Sequence, residues 1–308
     1  MEQLKEFIAT VKSHTPNNCT RIFFSRKVSS NGNTKYVTHQ PTVSNEVQLV
    51  ILNTVFPYIE AQLEKDSIVA YNPIGVLDGE LEKISITQIP MFSEFIDSID
   101  TQNLYREMDS LKIDKIGFYC IEVNVDGSPL YIFRKFQKLK KLRSGILTRI
   151  ANNALNVIEN DFLGIDEFTD MIAFGDDLFL LNHISLERIF DYRDEFLRKT
   201  NEALGEILSK DVLVNIEQFT EDCCSDIRIM KRFTTIMTKD RLPMFFDNYD
   251  KVPEIVSELG LDIDFNEQGK LIYRERCQLF HIVNLLSDSY FKSLLANRTG
   301  VAMIEGEV

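Results

Sequence analysis

KIGFYCIEVNVDGSPLYIFRKF, residues 115–136, reads as two β-strands joined by a two-residue turn. Apolar and aromatic residues recur at alternate positions from Lys115 to Val125 and again from Pro129 to Phe136. Between them stands Asp126-Gly127, a dipeptide whose residues accept the positive φ angles that a tight antiparallel hairpin requires. An antiparallel hairpin in the middle of the chain makes a sheet the organising element. Working outward, 21–27 and 35–38 flank Asn31-Gly32-Asn33 as a second hairpin. Residues 171–182 (MIAFGDDLFLLN) form a third around Gly175-Asp176-Asp177, and 67–71 adds a strand.

Helical spacing fills the intervals. Leu4, Phe7, Ile8 and Val11 define a helix over 2–13. Ser44 caps one running to about residue 65, with Val47, Val50, Ile51, Val55 and Tyr58 expected inside. Pro90 opens another that carries Phe92, Phe95, Ile96 and Ile99. Further helices are expected over 144–159, 185–209, 215–237, 250–259 and 277–296, with a short hairpin near 267–269. On the last helix, Leu279, Ile282, Val283, Leu286, Tyr290 and Leu294 share a stripe, and the tail after it is expected to be loose. The whole is α+β: short antiparallel hairpins packed with helices, and a helix-rich C-terminal half. Two regions are expected, an N-terminal α+β region over 1–110 and a C-terminal α+β domain over 111–308.

Composition excludes several function classes. An apolar share of 44% and a charged share of 26% belong to a soluble globular chain, and 22 Phe with no Trp point to a Phe-rich core. The five Cys (Cys19, Cys120, Cys223, Cys224, Cys277) form no CxxC, and the four His pair with no ligand at metal spacing. No metal or other cofactor is therefore expected, and the vicinal Cys223-Cys224 reads as structural. No signal peptide and no apolar run of membrane length appear, so a reduced, cytoplasmic protein without direct membrane insertion is expected.

The charge is bipolar. The net charge is −13, yet residues 112–149 carry a net of +6 against −19 for the remainder. Within that segment RKFQKLKKLR, residues 134–143, holds six cations and no acid. Where a charged surface merely balances its surroundings, acids and bases alternate, as they do over 185–209. Here Phe136, Leu139 and Leu142 recur every third residue, so one side can anchor while the other offers cations. A backbone-tracking nucleic-acid site needs only several such cations, with no base readout. An acidic protein surface is the other partner that such a strip would fit.

Catalytic readings find less support. Asp176 and Asp177 sit where template-directed polymerases place metal-binding aspartates, but Gly and Asp are also what a hairpin turn demands. A metal-dependent nuclease would want an Asp and then Glu-x-Lys on adjacent strands. Glu122-Val123-Asn124 has Asn in place of Lys, Glu80-Leu81-Glu82-Lys83 has the wrong spacing, and Asp114 and Asp126 read as strand-end and turn residues. No phosphate-binding glycine loop or nucleophile elbow occurs. No catalytic residue is expected.

The order of features carries a resemblance. YIFRKFQKLKK is followed by the hairpin IAFGDDLFLLN and at once by SLERIFDYRDEF, and the chain closes on LLSDSYFKSLLANR. Over about 115–298 this succession resembles the KwaB family, the soluble component of the bacterial Kiwa anti-phage defence system. The resemblance implies a cytoplasmic homodimer that binds double-stranded DNA. It also implies assembly with a multi-span membrane protein, KwaA, which would recruit the chain to the inner face of the membrane. The pair would block phage DNA replication and late expression. DNA binding carries over to Arg134, Lys135, Lys138, Lys140, Lys141 and Arg143, with Arg149 beyond them on the expected 144–159 helix. The acidic tail after Arg298 has no counterpart in the resemblance.

Overall fold

The chain is described by a computed structural model for residues 1–13, 19–30, 33–65, 67–100, 102–105, 111–136, 148–151, 154–157, 164–293, 295 and 298–302, with 30, 33, 148–151 and 154–157 given by backbone alone. It divides into two compact units: Met1–Ala70 with Gly79–Asp191, and Tyr71–Asp78 with Tyr192–Val308.

The first unit runs α1 (Glu2–Ser13), β1 (Thr20–Ser30), β2 (Asn33–His39), α2 (Asn45–Gln62), β3 (Ser67–Ala70), β4 (Glu80–Ser85), α3 (Pro90–Ile99), β5 (Phe118–Val125), β6 (Ser128–Lys135), β7 (Thr148–Ala151), β8 (Ala154–Val157), β9 (Met171–Phe174), β10 (Asp177–Leu180) and α4 (Ser185–Phe190). Eight strands form one sheet in the order β2-β1-β5-β6-β9-β10-β4-β3. Every pair in it is antiparallel except β3 with β4. The turn between β5 and β6 is the expected one, with Asp126 at φ 52° and Gly127 at φ 82°.

Both faces of the central strands are covered, which is why β5 is buried at six successive positions. Tyr119, Ile121, Val123, Leu130 and Ile132 share a core with Leu4, Ile8 and Val11 of α1 and the inner stripe of α2. The opposite face is aromatic. Phe133 stacks with Phe92 and Phe95 of α3, Phe118 of β5 and Phe190 of α4 at centroid distances of 5.2–6.2 Å. Tyr36 closes this layer, its hydroxyl donating to the Ile189 carbonyl at 2.6 Å. The Phe-rich core expected from composition is thus one face of the sheet.

The expected boundary near residue 110 falls inside this unit, because β1 pairs with β5 residue by residue from Thr20↔Val123 to Ser25↔Phe118. The chain instead parts after Asp191. There the expected helix over 185–209 breaks into α4 and α5 (Arg193–Lys210), since Asp191 takes the left-handed conformation at φ 52°. Asp tolerates that region better than most residues. The expected helix over 144–159 is corrected as well: 148–151 and 154–157 pair as an antiparallel hairpin.

The inner face of α2 is turned by one residue from the expected stripe. Ser44 caps it as expected, accepting from the Val47 N–H, but Gln48, Ile51, Leu52, Val55, Phe56 and Ile59 are buried. Val47 and Val50 remain 47% and 59% exposed. Gln48 can lead the stripe because its amide is satisfied inside, accepting from Thr20 N–H at 3.2 Å and donating to the Val43 carbonyl at 3.2 Å.

The second unit continues with α5, β11 (Leu213–Val214), α6 (Ile216–Ser225), α7 (Ile227–Thr238), α8 (Arg241–Asp247), α9 (Val252–Leu259), β12 (Asp264–Phe265), β13 (Leu271–Ile272), α10 (Leu279–Leu286), β14 (Tyr290–Lys292) and β15 (Thr299–Val301). Its core gathers Phe219, Phe233, Tyr273 and Ile282. The expected turn near 267–269 joins β12 to β13, with Gly269 at φ 79°. The last helix is shorter than expected. It stops at Leu286, and Tyr290–Lys292 pairs with Thr299–Val301, so Tyr290 lies on a strand and part of the tail is structured. Ser287-Asp288-Ser289, with Asp288 at φ 52°, supplies short polar side chains that compete with helical backbone bonding. Asp226 divides the expected 215–237 helix. It leaves helical geometry to cap α7, accepting from the Arg228 N–H at 3.0 Å and pairing with the Arg228 guanidinium at 2.8 Å.

Two predictions follow from these placements. In urea melts Ile51→Ala costs about 2–5 kcal/mol, the range for buried large-to-small changes, while Val50→Ala stays within about 0.5 kcal/mol; equal losses would restore the expected stripe. The Arg228 side-chain hydrogen bond pushes the Asp226 carboxyl down to about 2 from 3.8, so its contribution is complete above pH 3.8 and is lost as pH falls through 2. Asp226→Ala therefore costs about 0.5–2 kcal/mol at neutral pH, a deficit that shrinks as the melts are carried below pH 3.8 toward pH 2.

Candidate nucleic-acid interface

β6 carries the start of the basic run, and its end is clamped. Asp170, side chain 2% exposed, bonds with both main chain and carboxylate. Its N–H donates to the Phe133 carbonyl at 2.9 Å, and its carbonyl accepts from the Leu181 and Asn182 N–H groups at 2.9 and 3.0 Å. Its carboxylate accepts from Arg134 Nη1 at 3.2 Å, from the Lys135 N–H at 2.6 Å and from Asn182 Nδ2 at 2.9 Å. Asp166 takes the other edge of Arg134, from Nε at 3.0 Å and Nη2 at 2.8 Å, the two-point geometry that suits guanidinium and carboxylate. The Arg134 guanidinium also lies 5.5 Å from the ring centre of Phe168, which packs edge-on against Tyr58 at 5.3 Å.

These contacts set the electrostatics. Burial works against the charge on Arg134, and the Asp166 hydrogen bond together with both carboxylates outweighs it, holding the guanidinium above its ordinary pKa. Burial raises the Tyr119 phenol, and the Asp166 charge raises it further; its hydroxyl donates to Asp166 Oδ1 at 3.4 Å. Arg134 is thus a cation engaged by the fold, and its two partners occupy the donors that a phosphate would need. Within the structure it anchors the end of β6.

The remaining expected residues separate clearly. Lys135 is exposed, with its main chain pinned by Asp170. Phe136 is buried, its N–H donating to the Gly117 carbonyl at 2.9 Å, so the inward anchoring expected of the apolar members holds at the first of them. Lys138, Leu139, Lys140, Lys141, Leu142 and Arg143 lie outside the described residues. Arg149 lies on β7 opposite Asn156, on a strand and not on the expected helix.

The carboxylates weighed for catalysis are in ion pairs or turns. Glu122 is 2% exposed and paired with Arg21. Asp177 pairs with Lys83 at 3.1 Å, and Asp176 offers its main-chain carbonyl to the Ile86 N–H at 3.0 Å. Asp126 is the hairpin turn, and Asp114 lies in a short 3₁₀ turn, Ile113–Lys115. Glu82, also buried, meets His183 Nδ1 at 2.7 Å, a pair that sequence reading missed. Cys223 is buried and Cys224 half-buried, and burial raises both thiols. Asp262, Glu275 and Cys277 bring ligand atoms together on the surface, yet Glu275 already caps the turn Arg276–Gln278 and accepts from Cys277 Sγ at 3.2 Å.

A family model described as Kiwa protein KwaB-like matches residues 113–296. No curated protein and no solved structure matches the chain.

Removing the clamp tests its role. Asp170→Ala leaves Arg134 with one partner and the Lys135 N–H with none, and breaking a buried ion pair from one side costs about 3–5 kcal/mol. Chemical melts should show that loss, whereas Lys135→Gln stays within about 0.5 kcal/mol. A neutral Asp170→Ala would mean that the strand end is fixed by other contacts.

Proposed function

The chain belongs to the KwaB-like family of Kiwa proteins, and we propose that it acts in anti-phage defence as a DNA-binding subunit without chemistry of its own. The observation that carries this reading is the run of cations leaving a fixed point: Asp170 holds the β6 end at Lys135, and Lys138, Lys140, Lys141 and Arg143 follow within eight residues with no acid among them. Duplex DNA is bound through its phosphates with little sequence preference. Arg149 adds a further cation in sequence, and Arg134 supports the end of β6 through its carboxylate partners. The net of −19 on the rest of the chain keeps nucleic acid to this segment by repulsion elsewhere.

In this reading the chain works as a homodimer in the cytoplasm. A multi-span membrane protein of the KwaA type holds it at the inner face of the membrane, and the assembly blocks phage DNA replication and late expression. No helix among the described residues is long and apolar enough to cross a membrane, which supports attachment through such a partner. The ion pairs of Glu122 with Arg21 and of Asp177 with Lys83 support a non-catalytic role over a metal-dependent nuclease.

Fluorescence anisotropy on a labelled duplex tests the binding. Engaging about four phosphates gives log K falling with log salt at a slope near −4. Lys138→Glu, Lys140→Glu and Lys141→Glu combined should abolish binding with the melting temperature unchanged. Undiminished binding by that variant sinks the proposal. Loss of co-purification with the membrane partner, with DNA binding intact, assigns the strip to an acidic protein surface. Cleavage of phage DNA with Mg²⁺ or Mn²⁺, lost in Asp177→Asn, assigns the chain to the nucleases.

A further inference from the structure

In the second unit α8, α9, the end of α10 and β14 line a groove with a cavity of about 410 Å³. That volume falls in the roughly 300–1,000 Å³ range of ligand sites. Its walls are apolar: Phe245 of α8, Val252, Ile255 and Leu259 of α9, Leu285 of α10 and Phe291 of β14. Ile255 and Phe291 stay 38% and 52% exposed, so the apolar wall is open to solvent. Single exposed hydrophobes are ordinary, but these two stand together on one concave surface.

β14 turns an unpaired edge to this groove. Its register with β15 is Tyr290↔Val301, Phe291↔Gly300 and Lys292↔Thr299. The Ser293 N–H donates to the Arg298 carbonyl and the Ala302 N–H to the Ser289 carbonyl, both at 2.8 Å, which marks the hydrogen-bonded pairs on either side. Alternation makes Phe291↔Gly300 the pair between them and points the Tyr290 and Lys292 main-chain groups away from β15. Among the described residues nothing bonds to those groups. Side chains along a strand alternate between its faces. Tyr290 and Lys292 share one: the Tyr290 hydroxyl lies 2.9 Å from His281 Nδ1, and Lys292 Nζ pairs with Glu258 of α9 at 2.5 Å. Phe291 occupies the other, its ring so close over Gly300 that a Cβ there would stand 2.7 Å from it. All three line the groove and no described residue of β15 does, which places the groove along the free edge of β14.

Four charges stand at the rim. Lys292 and Glu258 pair with each other. Lys251 Nζ donates to Asn248 Oδ1 at 2.6 Å, and neither Lys251 nor the Asp288 carboxylate has an ionic partner among the described residues. We propose that the groove binds an extended peptide segment of a partner protein, whose main chain pairs with Tyr290 and Lys292 as a third strand beside β14. One bulky apolar side chain of the segment fills the cavity, a basic residue faces Asp288 and an acidic residue faces Lys251. Main-chain pairing at the strand edge supplies affinity, and the pocket supplies selection. A small apolar ligand would fill the cavity and leave the β14 edge unanswered, whereas a peptide satisfies both. Every residue of the site lies in the second unit and none belongs to the basic run, so the site is independent of DNA binding.

Selection of short randomised peptides by mRNA display on the immobilised full chain should enrich a bulky apolar residue flanked by a basic residue on one side and an acidic one on the other. A synthetic, labelled copy of an enriched peptide is then titrated by fluorescence anisotropy. Ile255→Glu sets a charge in the apolar wall and should weaken binding about tenfold or more. Asp288→Asn keeps a residue that tolerates φ 52° and should weaken binding about two- to fivefold, the worth of an exposed ion pair. Both variants should melt as the unaltered chain does. Strand pairing has a signature that side-chain docking lacks: N-methylation of the peptide weakens binding at alternate residues only, and the Tyr290 and Lys292 amides gain protection from hydrogen exchange. No enrichment, affinity unaltered by Ile255→Glu, or N-methylation losses without alternation overturns the proposal. So does an enriched peptide whose binding is lost when Lys138, Lys140 and Lys141 are reversed to Glu, because it would then sit on the basic run.

Discussion

Asp170 ties together parts of the first unit that would otherwise be set independently. One residue bonds the main chain of β6 at Phe133 and Lys135, the Arg134 side chain, and the chain just past β10 at Leu181 and Asn182. A carboxylate this deeply buried carries a large desolvation penalty, which only a full set of donors can offset. Its position is therefore narrowly specified. Three donors converge on it, and they fix where the β6 strand ends and in which direction the chain leaves it.

Turn chemistry and alternation were the readable parts of the fold. Asp126-Gly127 and Gly175-Asp176 located the hairpins because few residues tolerate the angles required there. Helices were harder to bound. Asp191, Asp226 and Asp288 each interrupt what looked like a continuous amphipathic segment, because an apolar stripe persists in sequence across a break made by a single backbone conformation. The hairpin over 148–157 reads as a helix in the sequence because four-residue strands are too short for their period to show. The rotation of α2 was hidden for another reason: burial of Gln48 depends on a Thr20 N–H from a different strand.

The candidate site was legible as a concentration of charge and illegible in its internal division of labour. Reading acids and bases along the sequence treats Arg134 as one of six equivalent cations. Its partners Asp166 and Asp170 lie 32 and 36 residues away, and only the pairing of β6 with β9 brings the Asp170 end of that segment alongside. The signal was present in a weak form, as two acids four residues apart just before an apolar strand.

The span matched by the family model supplies the four middle strands of the sheet, β5, β6, β9 and β10, in unbroken order. Everything outside them is N-terminal: β1 and β2 pair along the free side of β5, and β4 and β3 along the free side of β10. The first 112 residues therefore act as a bracket around a ready-made centre, closing both of its open hydrogen-bonding edges at once. A bracket is asked mainly for main-chain pairing and for apolar side chains of suitable bulk, and many sequences meet those demands. That is a physical reason for the region least recognisable by its residues to be the one that keeps the recognisable part from joining other sheets edge to edge.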